Sequence, residues 1–247
     1  YMFPPIKHWA PEWEKLNPTW EIELSGMPFP QVRDIAIMQL QGGICPYDIV
    51  ALLHPPVIDA YPYVYPLTEY VAKDPGFKWD SLVKAVKEQF YYGKEIYAIP
   101  VDGVPMVFCY RTDLLNDPAN ITEFEKKYGF SYNITNSTWD QYLKVAEFFT
   151  KGDLHGCTLL GPKGIVWQDF LTIYYSHGGR WFDPETMEPR INSPPGLKAL
   201  EIMREMKKYA PNPLEAIEPD IWEGFAKGKL ATAIQFPDLP KWAQNPD

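Results

Sequence analysis

Three things are scarce in this chain: cysteine, positive charge and long apolar runs. Only three cysteines occur in 247 residues, Cys45, Cys109 and Cys157. They are widely spaced, sit within or beside apolar runs, and carry no Cys-x-x-Cys or Cys/His spacing, which excludes a metal site of the usual kinds. Free cysteine in such surroundings behaves as a small buried hydrophobe. Lys and Arg number 23 against 32 Asp and Glu, and the formal net charge of −9 argues against nucleic acid as a partner, because phosphate backbones call for clustered positive charge. No window of about twenty apolar residues exists, so no segment reads as a membrane-spanning helix. Internal repeats and low-complexity tracts are also missing.

What is present is informative. Proline occurs 26 times, about double the usual share, which implies many rigid turns and few long helices. Aromatic residues reach 15%, with 9 Trp and 16 Tyr. Flat amphipathic rings stack on sugar faces, although the core is expected to take most of them. With 46% apolar residues, the chain has enough material for one large domain or two modest ones.

The periodicity alternates between strand and helix. A helix is expected to end near Asn17, where Pro18 breaks it, and residues 20–24 alternate as a short strand. Val32, Ile35, Ala36, Gln39 and Leu40 keep helical spacing, with Gly42-Gly43 as the stop. Residues 47–53 form a continuous apolar run, the mark of a strand buried on both faces. Trp79, Leu82, Val83, Val86 and Phe90 make a further helical stripe. In the second half, Thr138-Trp139-Asp140-Gln141 is a capping box, residues 157–160 a short strand, and 167–175 a helix ended by Gly178-Gly179. Ser193 with Pro194 starts another helix, Asp220 is expected to cap the next, which ends at Gly228, and residues 230–234 close as a strand. The order predicts an α/β fold. Asn120, Asn133 and Asn136 open N-x-S/T triplets, read here as turn chemistry.

Several segments, in order, resemble the sugar-binding group of the extracellular solute-binding protein family 1 of ABC importers, which are similar to maltose-binding protein. Residues 96–115, with a strand ending at Pro100 and an apolar run leading into Arg111-Thr112-Asp113-Leu114-Leu115, resemble its lobe-to-lobe hinge. Tyr47-Asp48-Ile49-Val50 is similar to its P-D-(I/V)-(I/V) strand, and Thr138-Trp139-Asp140 to its TW(D/E) helix start. His177-Gly178-Gly179-Arg180-Trp181-Phe182-Asp183 resembles GGxWFD, and Phe225-Ala226-Lys227-Gly228-Lys229 with Ala231 resembles FxxGKxA. The resemblance implies a two-lobe, type II periplasmic-binding-protein fold, with residues 1–103 in lobe 1 and 104–247 in lobe 2. The family's first strand is expected before Tyr1 and its C-terminal part after Asp247, leaving both lobes incomplete.

Open α/β sheets bind ligands at the carboxyl ends of their strands. That rule selects His54, then Asp102 and Gly103, then Lys163, Trp167, Gln168 and Asp169, and finally Gln235, Phe236 and Asp238. The resemblance points to the same loops and adds Gly178, Gly179 and Arg180. Carboxylates and amides suit a polyol, whose hydroxyls both donate and accept, and Trp167, Phe236 or Trp181 would be the stacking platform. Each has a plainer reading as well. Asp102 beside Gly103 suits a turn cap, His54 a packed loop, Lys163 a solvated surface, Trp181 the core, and the two glycines backbone geometry.

The implied function is capture of a sugar or oligosaccharide and its delivery to permease subunits in the membrane. The protein would be a monomer, periplasmic or extracellular, either free or lipid-anchored, with no cofactor, no metal and no catalytic residue. Two alternatives stay open: a glycoside hydrolase, which needs two carboxyls flanking one bond at a fixed separation, and a binder of a charged solute such as a phosphorylated polyol or a polyamine.

Overall fold

The computed structural model describes residues 3–26, 32–52, 57–101, 103, 105–133, 135–162 and 165–244. The chain divides into two compact units, Tyr1–Gly103 and Val104–Asp247.

In the first unit, α1 (Phe3–Leu16) ends as the proline at 18 requires, and α2 (Val32–Gln41) stops at Gly43, whose φ of 66° suits glycine. Three short helices follow: α3 (Val57–Ala60), α4 (Thr68–Lys73) and α5 (Lys84–Lys87). The helical stripe expected from Trp79 to Phe90 is broken into α5 and two flanking 3-10 turns, Trp79–Ser81 and Glu88–Phe90. A two-residue hairpin, β1 (Tyr91–Tyr92) with β2 (Glu95–Ile96), turns at Gly93, φ 62°. The Ile96 amide donates to Thr68 Oγ1 at 2.9 Å and the Trp79 indole N–H to the Tyr91 hydroxyl at 2.8 Å. The strands expected at 20–24 and 47–53 do not form ladders among the described residues. Their apolar pattern is present, but a strand exists only against a neighbour that takes its N–H and C=O groups. Ile49 is accordingly 90% exposed.

The second unit is better knit. Its strands β3 (Val107–Tyr110) and β4 (Thr232–Gln235) pair antiparallel, Val107 opposite Gln235 and Tyr110 opposite Thr232. On the other side of β4, His155 bridges Leu230 in parallel. Residues 157–160, expected as a strand, lie fully buried along this side, but their amides turn elsewhere: Cys157 N–H donates to Tyr209 O and Leu160 N–H to Asp169. Around this sheet pack α6 (Thr112–Leu115), α7 (Pro118–Tyr128), α8 (Trp139–Phe149), α9 (Trp167–Ser176), α10 (Pro194–Met206), α11 (Glu218–Ala226) and α12 (Asp238–Gln244).

Sequence chemistry sets the helix starts. Thr138 and Gln141 make both halves of the capping box of α8, and prolines at the first turn open α7 and α10. Asp220, expected as the cap of α11, instead sits inside its first turn and accepts the Ile217 N–H at 3.0 Å. Gly156 lets the chain pass α8, since a Cβ there would lie 1.8 Å from Ala146 O. In this unit a group of rings builds the core: Phe124, wholly buried, has Tyr128, Phe130, Tyr132 and Phe148 around it. Cys109 and Cys157 are buried and free, and Cys45 is half-buried and free.

Candidate functional site

Because His155 and Leu230 pair in parallel, the runs 155–160 and 230–235 point the same way and finish at one end of unit 2. The antiparallel β3 starts at that end, with Val107 opposite Gln235. Leu160, Ala233 and Leu239 share one buried cluster there, with Val107 and Ile165 packed against it. The first turns of α9, α11 and α12 supply Asp169, Glu218 and Asp238. An acid in a first turn complements the free amides and positive dipole end of its helix.

In α9, Asp169 is 3% exposed and its Oδ2 accepts the Leu160 N–H at 2.7 Å. Burial pushes its carboxyl up to about 7; the Leu160 amide opposes this and nearby Glu218 adds to it. Gln168 Nε2 donates to Glu218 Oε1 at 3.1 Å, while Gln168 Oε1 is buried without a partner among the described residues. Trp167, which precedes them, is half-buried. At the end of β4, Gln235 is wholly buried; its Oε1 accepts the Phe236 N–H at 2.9 Å and its Nε2 has no described partner. Phe236 is half-buried and Asp238 exposed. An unsatisfied buried amide costs about 1–3 kcal/mol, so both glutamines keep unused hydrogen-bonding capacity at this end.

The structure therefore brings together Trp167, Gln168 and Asp169 with Glu218, at the same end as Gln235, Phe236 and Asp238. Gly178, Gly179 and Arg180 stand apart: they follow the far end of α9, a helix of ten residues and so about 15 Å long. Gly178 takes φ 76° and is exposed. Gly179 is buried, and a Cβ on it would meet the Tyr174 ring at 2.4 Å. Arg180 is exposed, and its carbonyl accepts the Tyr174 hydroxyl at 2.6 Å. Trp181 packs near the same ring, centroids 6.2 Å apart. In the first unit Gly103 is exposed, with Val86 as its near neighbour. His54, Asp102 and Lys163 lie outside the described residues.

Glu218 was missed by sequence reading, since nothing in Ile217-Glu218-Pro219-Asp220 distinguishes a buried acid from a solvated one. A cavity of about 470 Å³ opens at the start of the two runs, lined by His155, Asn212, Asp220, Glu223, Lys227 and Lys229 among others. It contains none of the expected site residues. Among the described residues, no group of three or more His, Cys, Asp or Glu side chains is placed to hold a metal ion. No described helix is long and apolar enough to cross a membrane.

A family model described as bacterial extracellular solute-binding protein matches residues 4–245. Solved structures add to this. An ABC transporter solute-binding protein from Agrobacterium vitis with bound D-mannitol is 20% identical with a TM-score of 0.75, covering 100% of this chain and 58% of that one. One from Agrobacterium radiobacter in complex with ribitol is 19% identical with a TM-score of 0.78, covering 99% and 60%. Maltose-bound MalE3 from T. maritima is 20% identical with a TM-score of 0.77, covering 98% and 60%. The chain thus spans 58 to 60% of the length of these structures. Among curated proteins none matches the sequence. The fold is α/β, of the two-lobe type of sugar-binding proteins, and the chain belongs to the bacterial extracellular solute-binding proteins.

Proposed function

We propose that this protein is the extracytoplasmic binding component of an ABC importer, which captures a sugar or polyol and hands it to a membrane permease. The observation that carries the reading is family membership across residues 4–245. The relatives' ligands, D-mannitol, ribitol and maltose, indicate the class of solute. Unit 2 contributes the end where α9, α11 and β4 finish or begin, with Trp167 as a stacking ring and Gln168, Gln235 and Asp238 as polar contacts. Asp102, Gly103, His54 and Lys163 are proposed contacts from the connecting segment and loops, and Gly178, Gly179 and Arg180 from the turn after α9. Such a protein works outside the cytoplasm, in the periplasm or on a lipid anchor. It works by preferring its solute in the closed form, which shifts the open–closed balance.

Calorimetry with mannitol, ribitol, maltose and maltotriose, run beside a reducing-end assay, tests this. Saturable heat without turnover is expected. Turnover would establish a hydrolase instead, and binding confined to charged solutes with strong salt dependence would replace the neutral-sugar reading.

A further inference from the structure

Asp169 is buried, yet no cation faces it among the described residues. The titratable groups that interact electrostatically with it are Glu218 at the start of α11, the Tyr142 phenol on α8 and the Cys157 thiol of the buried run. All are acids by nature, so among the described residues nothing compensates a charge on Asp169 except hydrogen bonds. Among the described residues its donor is the Leu160 N–H, at 2.7 Å. Leu160 is the last residue of the buried run, and the next step of the chain is equally constrained. Gly161 N–H donates to Ala216 O at 3.3 Å, and a Cβ on Gly161 would come within 2.3 Å of the Leu214 backbone. The chain therefore leaves the core between α9 and residues 214–218, held on one side by a carboxyl and on the other by backbone.

We propose that Asp169 is a positioning residue which, as a neutral carboxyl, clamps residues 160–161 where they leave the core, and that ionisation loosens this clamp. The clamp stands without any solute; its effect on solute capture rests on the function proposed above. A neutral carboxyl keeps its carbonyl oxygen for Leu160 and sheds the cost of a buried, uncompensated charge. Burial raises the group to about 7 in the folded protein, against about 4 in an unfolded chain. The folded state thus binds the proton more tightly. The stabilisation is complete below the unfolded value and is lost as pH rises through about 7.

Hydrogen–deuterium exchange on the full chain without solute tests this, read in a peptide covering residues 158–162, with a peptide from α7 as control. After correction for intrinsic exchange, protection at Leu160 and Gly161 is expected to fall about tenfold or more between pH 5.5 and 8.5, the control staying level. Asp169→Asn, which keeps the acceptor oxygen without the charge, should hold high protection at every pH. Asp169→Ala should be poorly protected throughout. A flat wild-type profile, an Asn variant that follows the wild-type decline, or an Ala variant as protected as wild type at pH 5.5 would each overturn the proposal. No solute is present, so failure here leaves the binding function untouched, and failure of sugar binding leaves this test intact.

Discussion

The two units are made from similar residues and use them differently. Unit 2 buries Phe124, Tyr174, Phe148 and Leu160 to 2% exposure or less, around β3, β4 and the run 155–160. Unit 1 leaves Trp9 64%, Trp20 67% and Ile49 90% exposed. Apart from the buried Trp79, its ring contacts lie toward the surface, as where Tyr61 stacks on Tyr92 with centroids 3.6 Å apart. Its one described sheet has two residues per strand, and a lone hairpin is marginal in water. Aromatic content by itself does not make a core; strands with neighbours and helices that cover them do.

That contrast can be broken by mutation. Phe124→Ala empties the centre of an aromatic cluster in unit 2 and should cost about 3–5 kcal/mol in denaturant unfolding. A loss under about 1 kcal/mol would mean the cluster is not packed as described. Gly156→Ala forces a methyl into the Ala146 carbonyl and should cost about 1–3 kcal/mol. Thr138→Ala removes the capping box of α8, with a loss of about 1 kcal/mol. Smallest is Ile49→Ser in unit 1, expected within about 0.5 kcal/mol of wild type; a large effect would show that 47–52 is buried in solution.

Local chemistry was the legible part of the sequence. Thr138 and Gln141 specify their helix start from within four residues, and Pro194 opens α10 for the same reason, so both could be read without the fold. Strands needed more. The runs at 20–24 and 157–160 carry the right pattern, but pairing depends on neighbours distant in sequence. Among the described residues the first finds no strand, its Ile22 N–H donating instead to the Glu14 carboxylate at 2.7 Å, and the second finds Tyr209 and Asp169. In the site, the strand-end rule selected Gln168, Asp169 and Gln235 by chain position. It gave no hint that Asp169 and Gln235 face inward, because burial depends on how α9 and α12 settle. Glu218 escaped entirely: its tie to Gln168 joins residues fifty positions apart. Asp220 was placed one turn too early, since a carboxylate at the third helical position and one at the cap look alike in sequence.

The most direct test of the whole account is a backbone-amide NMR titration of the chain with maltose, mannitol and ribitol. Saturable shifts at the amides of Leu160, Gly161, Trp167, Gln168, Asp169, Gln235, Phe236 and Asp238 are the expected result. Binding that leaves these amides unmoved and shifts His155, Lys227 and Lys229 instead would place the solute in the opposite cavity and contradict the account.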